Sequence, residues 1–270
     1  TNVEMYLEIN QLTTHTIVAG ATGRGKSIAA QVIVEEALMK GVSVIVFDPT
    51  AQWSGMLRKC KDKKMLSFYP KFGLKEKDAR AFNGNVRQIN DAREVIDIKK
   101  YIKPGEIQIF TINKLDPKDI DVFVANTIRE VFHSNPPEER ELKLLLVYDE
   151  VHRLLPKFGG SGEGFIQVER ACREFRKWGI GMILISQVLS DFVGEIKANI
   201  NTEIQTRTMD VNDLERIKTK YGPGILQSLV KADVGVAMVQ NAEYNKGRPY
   251  FVNFRPILHN THRLSDEELE

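Results

Sequence analysis

Eight consecutive residues carry the clearest chemistry in the chain: Gly20, Ala21, Thr22, Gly23, Arg24, Gly25, Lys26 and Ser27. Together they match GxxxxGK[ST], the pattern of a loop that cradles the phosphates of a nucleoside triphosphate. Its glycines let the backbone turn successive N–H groups inward around the anion. The helix expected after the loop adds its N-terminal amides and the positive end of its dipole. In such a loop the lysine, here Lys26, reaches the β- and γ-phosphates, and the hydroxyl of Ser27 ligates Mg²⁺. ATP (or a related triphosphate) and Mg²⁺ are therefore the expected cofactors.

Three further groups complete the candidate chemistry. The run LLLVYDE ends an apolar strand in two acids, and strand carboxyl ends are where ligands gather in open α/β sheets. Asp149 is expected to hold Mg²⁺ through water. Glu150 is expected to orient the water that attacks the γ-phosphate, or to take its proton. His152 reads as a packing or hydrogen-bonding residue beside these acids. A later apolar strand ends in Ser186 and Gln187. The Gln187 amide reads either as a sensor of the γ-phosphate or as a solvated loop residue. Arg170, Arg173 and Arg176 recur at three-residue intervals. They form either a solvated face pairing with Glu169 and Glu174, or an arginine finger that stabilises transition-state charge in a neighbouring subunit.

Positioning these groups requires strands alternating with helices. Short β-rich or continuously apolar runs occur at His15–Gly20, Val42–Asp48, Ile107–Ile112, Leu142–Glu150 and Ile180–Ser186. Such runs suit parallel strands covered on both faces. Helical spacing follows at Lys26–Lys40, Asp119–Phe132, Phe165–Trp178 and Val211–Tyr221. The run EIQTRT precedes the last of these helices, and Val234–Val239 and Tyr250–Phe254 read as two late strands. The alternation predicts an α/β fold with a mostly parallel central sheet flanked by helices. The lysine-rich stretch at about 53–103, broken by Pro70 and Gly73, reads as a surface excursion with short helices. The Ile107–Ile112 strand lies between the glycine loop and the acids. That spacing suits the P-loop class with an additional strand and a catalytic glutamate.

Bulk properties set wide bounds. With 270 residues, 42% hydrophobic and 27% charged, the chain has ordinary globular composition and enough length for a sizeable core. A net charge of +2 neither requires nor excludes a nucleic-acid partner. Cys60 and Cys172 stand far apart without metal-ligand spacing, which argues against a metal cage and a disulfide framework. No apolar run approaches the roughly 18 residues a membrane helix needs, and no signal pattern opens the chain. A cytoplasmic protein with no intrinsic membrane segment is expected.

Taken in order, HTIVAGATGRGKS, VIVFDPTAQW, LLLVYDEVHRLLP, REFRKWGIG and ILISQVLSDF resemble the HerA/FtsK group of hexameric ATPases, which includes conjugative type IV secretion and coupling ATPases. The likeness covers roughly His15 to Pro256. It implies a RecA-like core, a homo-hexameric ring and ATP turnover at subunit interfaces that drives DNA through a pore. The alternative it leaves open is a secretion-type ATPase powering protein transport or assembly at a membrane complex. Matched position by position, the resemblance implies Glu150 as catalytic glutamate, Gln187 as sensor and Arg176 as finger. Two positions depart from the family pattern. Ala51 and Gln52 stand where a Gly-Glu pair is common, and Phe175 replaces a glycine beside the finger arginine. Nothing at the N-terminus resembles the small barrel that HerA helicases place before the motor. The chain therefore reads as a single motor domain, residues 1–270, with partner domains or a membrane complex elsewhere.

Overall fold

A computed structural model describes residues 3–21, 26–156, 159–190 and 195–269. Its centre is a nine-stranded sheet of order β3-β4-β2-β5-β6-β1-β7-β8-β9. The strands are β1 (Thr16–Ala19), β2 (Ser43–Asp48), β3 (Gly84–Gln88), β4 (Ile107–Thr111), β5 (Glu139–Tyr148), β6 (Trp178–Ser186), β7 (Thr202–Gln205), β8 (Val236–Asn241) and β9 (Tyr250–Asn253). Neighbours from β3 to β7 pair in parallel, whereas β8 runs antiparallel to both β7 and β9. The expected α/β architecture is the one found.

Helices α1 (Lys26–Met39), α2 (Lys63–Leu66), α3 (Pro117–Ser134), α4 (Glu163–Glu174), α5 (Glu195–Ala198), α6 (Val211–Tyr221), α7 (Pro223–Val230) and α8 (Asp266–Leu269) fill the rest, with short 3-10 turns. Strands β1, β2, β4 and β6 are buried at every position, because both faces of the sheet are covered. Alternation then divides the strand residues between two cores. Ile17, Ala19, Phe47, Phe110 and Tyr148 face the layer containing residues of α3 and α4. Val18, Val44, Val46, Leu145 and Val147 face the layer containing residues of α1. Helix α3 starts where Asp116 accepts the Asp119 N–H at 2.8 Å and stops at Asn135, which adopts a left-handed conformation.

The stretch expected as a surface excursion does carry short helices, but it also contributes to sheet and core. Trp53, Met56, Tyr69 and Phe82 are buried in the α1-side layer, and β3 extends the sheet beyond β4. The sequence GNVRQ hid this strand because an edge strand has one covered flank and here offers one apolar side chain, Val86. Gly84 is required there. A Cβ at that position would lie 1.9 Å from the Ile107 carbonyl oxygen.

Helix α7 was not anticipated from the sequence. Strand β5 also begins at Glu139, three residues before the expected Leu142, with a register shift between Glu139 and Leu144.

Candidate active site

Strand order decides which of the expected residues can meet. In sequence the glycine loop and the acids are separated by β2, β3 and β4, yet in the sheet they are separated by β6 alone. The carboxyl ends of β1, β6 and β5 therefore present Gly20, Gln187 and Asp149 in a row along one edge. Ala19 is in register with Ser186, and Leu184 with Tyr148. The Gly20 N–H donates to the Ser186 carbonyl at 3.3 Å, which fixes the start of the glycine loop against the end of β6.

On its other side the loop start is held by the end of β7. Thr206 donates its N–H to the Ala19 carbonyl at 2.8 Å, and Ala21 donates to the Arg207 carbonyl at 3.1 Å. A Cβ on Gly20 would lie 1.8 Å from the Thr206 hydroxyl oxygen, so the first glycine permits this close approach. Arg207 is half-buried, and its Nε has no hydrogen-bond partner among the described residues. Nothing in the run EIQTRT marks these contacts in the sequence. Thr22, Gly23, Arg24 and Gly25 lie outside the described residues, as does the side chain of Lys26. Lys26 and the half-buried Ser27 open α1, so the expected strand before the motif and helix after it are present.

Two buried carboxylates meet at the ends of β2 and β5. Asp48 organises the turn that follows β2. Its Oδ1 accepts the Thr50 N–H and hydroxyl at 3.0 Å each, and its Oδ2 accepts the Trp53 N–H at 2.8 Å. That turn delivers the Trp53 indole N–H to Asp149 Oδ2 at 2.9 Å. Burial pushes the Asp149 carboxyl up to about 7, and the charge of Asp48 adds to the effect. Burial also raises Asp48, against the hydrogen bonds of its turn. Neither Asp48 as turn organiser nor Trp53 as donor was singled out from sequence. Gln52, by contrast, is exposed.

Glu150 leaves the strand in the left-handed region at φ 52°, ψ 39°. A residue with a side chain adopts that conformation at a cost of about 1–3 kcal/mol. Its carboxylate is largely buried and lies 3.0 Å from His152 Nε2, with Arg153 Nε at 3.9 Å. The other imidazole nitrogen, Nδ1, lies 3.4 Å from the Ser186 hydroxyl and accepts the Gln187 N–H at 3.5 Å. The sequence expectation of a hydrogen-bonding histidine beside the acids agrees with these contacts.

The oxygen donors at this edge fit a hard divalent cation. Ser27 would supply a hydroxyl, and Asp149 would supply a buried carboxylate whose ionised form is disfavoured by burial and by Asp48 until a positive charge offsets them. Among the described residues no three His, Cys, Asp or Glu side chains form a cage.

The three arginines separate. Arg170 places its guanidinium 3.7 Å from the Phe132 ring centre, joining α4 to α3. Arg173 pairs with Glu169 at 3.4 Å. Arg176 is exposed in the 3-10 turn Phe175–Lys177 and forms no salt bridge among the described residues. Phe175, in the usual glycine position, is buried with ring centres 5.1 Å from Phe132 and 5.7 Å from Trp178, which anchors the turn. Arg176 directly precedes Lys177 at the start of β6, whereas Gln187 follows its end. Nine strand residues at ~3.3 Å each put roughly 26 Å between those ends. The structure therefore does not bring Arg176 to the nucleotide edge of its own chain.

Sequence comparison matches residues 1–72 to the family described as "Helicase HerA, central domain". The chain is 19% identical to the DNA double-strand break repair helicase HerA of Saccharolobus solfataricus, over 88% of this chain and 64% of that protein. It is 24% identical to the HerA of Sulfurisphaera tokodaii, over 53% of this chain and 30% of the relative. The chain thus spans about a third to two thirds of the length of these relatives.

Among solved structures, the fold is similar to the genome packaging NTPase B204 of Sulfolobus turreted icosahedral virus 2 in complex with AMPPCP. The TM-score is 0.53 at 11% identity, covering 90% of this chain and 98% of that one. It is likewise similar to VirB4 of Thermoanaerobacter pseudethanolicus, with TM-score 0.54 at 14% identity, covering 95% and 91%.

Proposed function

We propose that this chain, a P-loop ATPase of the HerA/FtsK type, is the motor domain of a DNA translocase that hydrolyses ATP at sites completed between neighbouring subunits of a ring. The observation that carries the reading is the row of strand ends. Gly20, Gln187, Asp149 and Glu150 share one sheet edge, with the glutamate held in a strained left-handed conformation. Backbone strain persists where the surrounding structure over-determines it, and functional sites are where it concentrates.

In this reading the loop from Gly20 to Ser27 binds the triphosphate, with Lys26 at the β- and γ-phosphates. Ser27 and Asp149 hold Mg²⁺, which supplies positive charge to the phosphate oxygens. Glu150 orients the attacking water and accepts its proton. Gln187 senses the γ-phosphate from the adjoining strand end. Arg176 serves the site of the next subunit, a role its distance from its own edge supports. A homo-hexamer is the proposed assembly and the cytoplasm the proposed compartment. Among the described residues no helix is long and apolar enough to cross a membrane.

DNA as the moved substrate rests on kinship with proteins named as a DNA repair helicase and a genome packaging NTPase. The test is the steady-state ATPase rate with and without single- and double-stranded DNA at low salt, where phosphate contacts are strongest. DNA-stimulated turnover is expected. Turnover indifferent to DNA, without DNA binding, would exclude a DNA motor. A rate answering only to a protein partner would assign the protein-transport alternative.

A further inference from the structure

The His152 side chain is buried and joins two parts of the site that belong to different strands. Nε2 lies 3.0 Å from Glu150 Oε2, and Nδ1 accepts the Gln187 N–H at 3.5 Å with the Ser186 hydroxyl at 3.4 Å. A backbone N–H can only donate, so Nδ1 must keep its lone pair. The ring proton then sits on Nε2, where it donates to the glutamate. One neutral tautomer satisfies both contacts.

The segment beyond Gln187 is tied down a second time. Leu189 and Ser190 donate their N–H groups to the buried Asp213 carboxylate at 3.0 and 2.7 Å, which joins the segment to α6. The stretch Ser186–Ser190 is thus held by His152 at one end and by α6 at the other.

We propose that His152 is a positioning residue. Through its two ring nitrogens it ties the orientation of the Glu150 carboxylate to the backbone at Gln187, so that the water-activating group and the γ-phosphate sensor move as one unit. The inference rests on the catalytic reading of Glu150 and Gln187 given above. Glu150 alone handles the proton of the attacking water, and the histidine fixes which carboxylate oxygen remains available to it. Hydrogen-bonded partners of this kind orient reacting groups without touching substrate.

The experiment compares His152→Leu, of similar bulk without polar atoms, with His152→Gln, which keeps one donor and one acceptor. Steady-state kinetics are measured in the full chain beside the affinity for a non-hydrolysable ATP analogue. His152→Leu should lower kcat about tenfold or more with analogue affinity and KM within about twofold, and His152→Gln should recover part of the loss. Adding either substitution to Glu150→Gln should cost no further activity, because the histidine acts through that carboxylate.

A His152→Leu protein that turns over like wild type would overturn the inference. So would equal losses in both variants, or a loss that multiplies with that of Glu150→Gln. If His152→Leu does not fold, the comparison of His152→Gln with and without Glu150→Gln decides by the same criterion. A wild-type chain without ATPase activity would instead remove the reading on which the inference rests.

Discussion

At the scale of single residues, burial and backbone strain mark the same few positions that the motifs mark. Glu150 is a non-glycine residue at positive φ immediately after a buried strand, and its carboxylate is held by His152. Replacing it by Gln preserves shape while removing the carboxylate proposed to act as base. Glu150→Gln should therefore bind ATP as wild type does and hydrolyse it about 10²–10⁴-fold more slowly, measured by analogue binding beside turnover. Lys26→Ala should instead lose phosphate binding itself, and retained analogue affinity would contradict the loop assignment.

Asp149 adds a pH dependence. Its carboxyl is raised to about 7 by burial and then by Asp48, so near neutral pH a proton competes with the metal. The Mg²⁺ concentration needed for half-maximal turnover should fall as pH rises from roughly 6 to roughly 8. A flat Mg²⁺ requirement across that range would argue against Asp149 as a ligand.

At the scale of elements, the insertion of β6 between β1 and β5 makes the site, since it places Gln187 between the phosphate loop and the acids. The long parallel strands were legible because continuous apolar runs are unusual outside a sheet covered on both faces. Strand β3 was not, because its pairing rests on backbone contact at Gly84 rather than on apolar side chains. The left-handed turn at Glu150 and the span from Asp48 through Trp53 to Asp149 also left no mark in the sequence. A dihedral angle and a hydrogen bond over 96 positions have no local pattern.

The phosphate-loop helix is braced by a further buried network that the sequence did not disclose. Glu35 of α1 accepts the Leu258 and His259 N–H groups at 2.8 and 3.0 Å, His259 Nδ1 lies at 2.7 Å, and Arg255 Nη1 donates at 2.8 Å. Glu35→Ala would leave Arg255 only the exposed Glu36 carboxylate, at 2.8 Å, and would take the acceptor from the buried Leu258 and His259 N–H groups. It should destabilise the fold by about 3–5 kcal/mol in denaturant unfolding. A change below about 1 kcal/mol would contradict a bracing role.

Acid should weaken the fold through two buried groups. Burial lowers the His15 imidazole to about 4, while its Nδ1 accepts the Met182 N–H at 3.0 Å. As pH falls from about 6.5 toward 4 the unfolded chain takes up this proton and the folded chain does not, so stability falls. Burial disfavours the charged form of Glu35, yet His259 and Arg255 hold its pKa below the usual range. Its contribution is present above the unfolded carboxylate value and is lost as pH drops through the folded one. The raised carboxyls of Asp149 and Asp48 act in the opposite sense over the same range, so the His15 contribution is read against His15→Gln. The unfolding free energy of wild type relative to that variant should decline as pH falls from roughly 6.5 toward 4.

At the scale of the whole molecule, one edge of the sheet carries the nucleotide residues and the start of β6 carries Arg176 in a turn anchored by Phe175. Arg176 lies beyond the far end of β6 from Gly20 and Gln187, roughly 26 Å along the strand, so the nucleotide site proposed for it is a neighbour's, and head-to-tail contacts of that kind form rings where the rotation closes. The resemblance in the sequence named Arg176.

The most direct measurement is the ATPase rate of an equal mixture of Lys26→Ala and Arg176→Ala chains, each confirmed to assemble to the wild-type mass. Sites that pair an intact Lys26 with a neighbour's intact Arg176 should appear at random, restoring about a quarter of wild-type turnover where each variant alone has almost none. A mixture no more active than its components, or full activity in Arg176→Ala alone, would contradict a site shared between subunits.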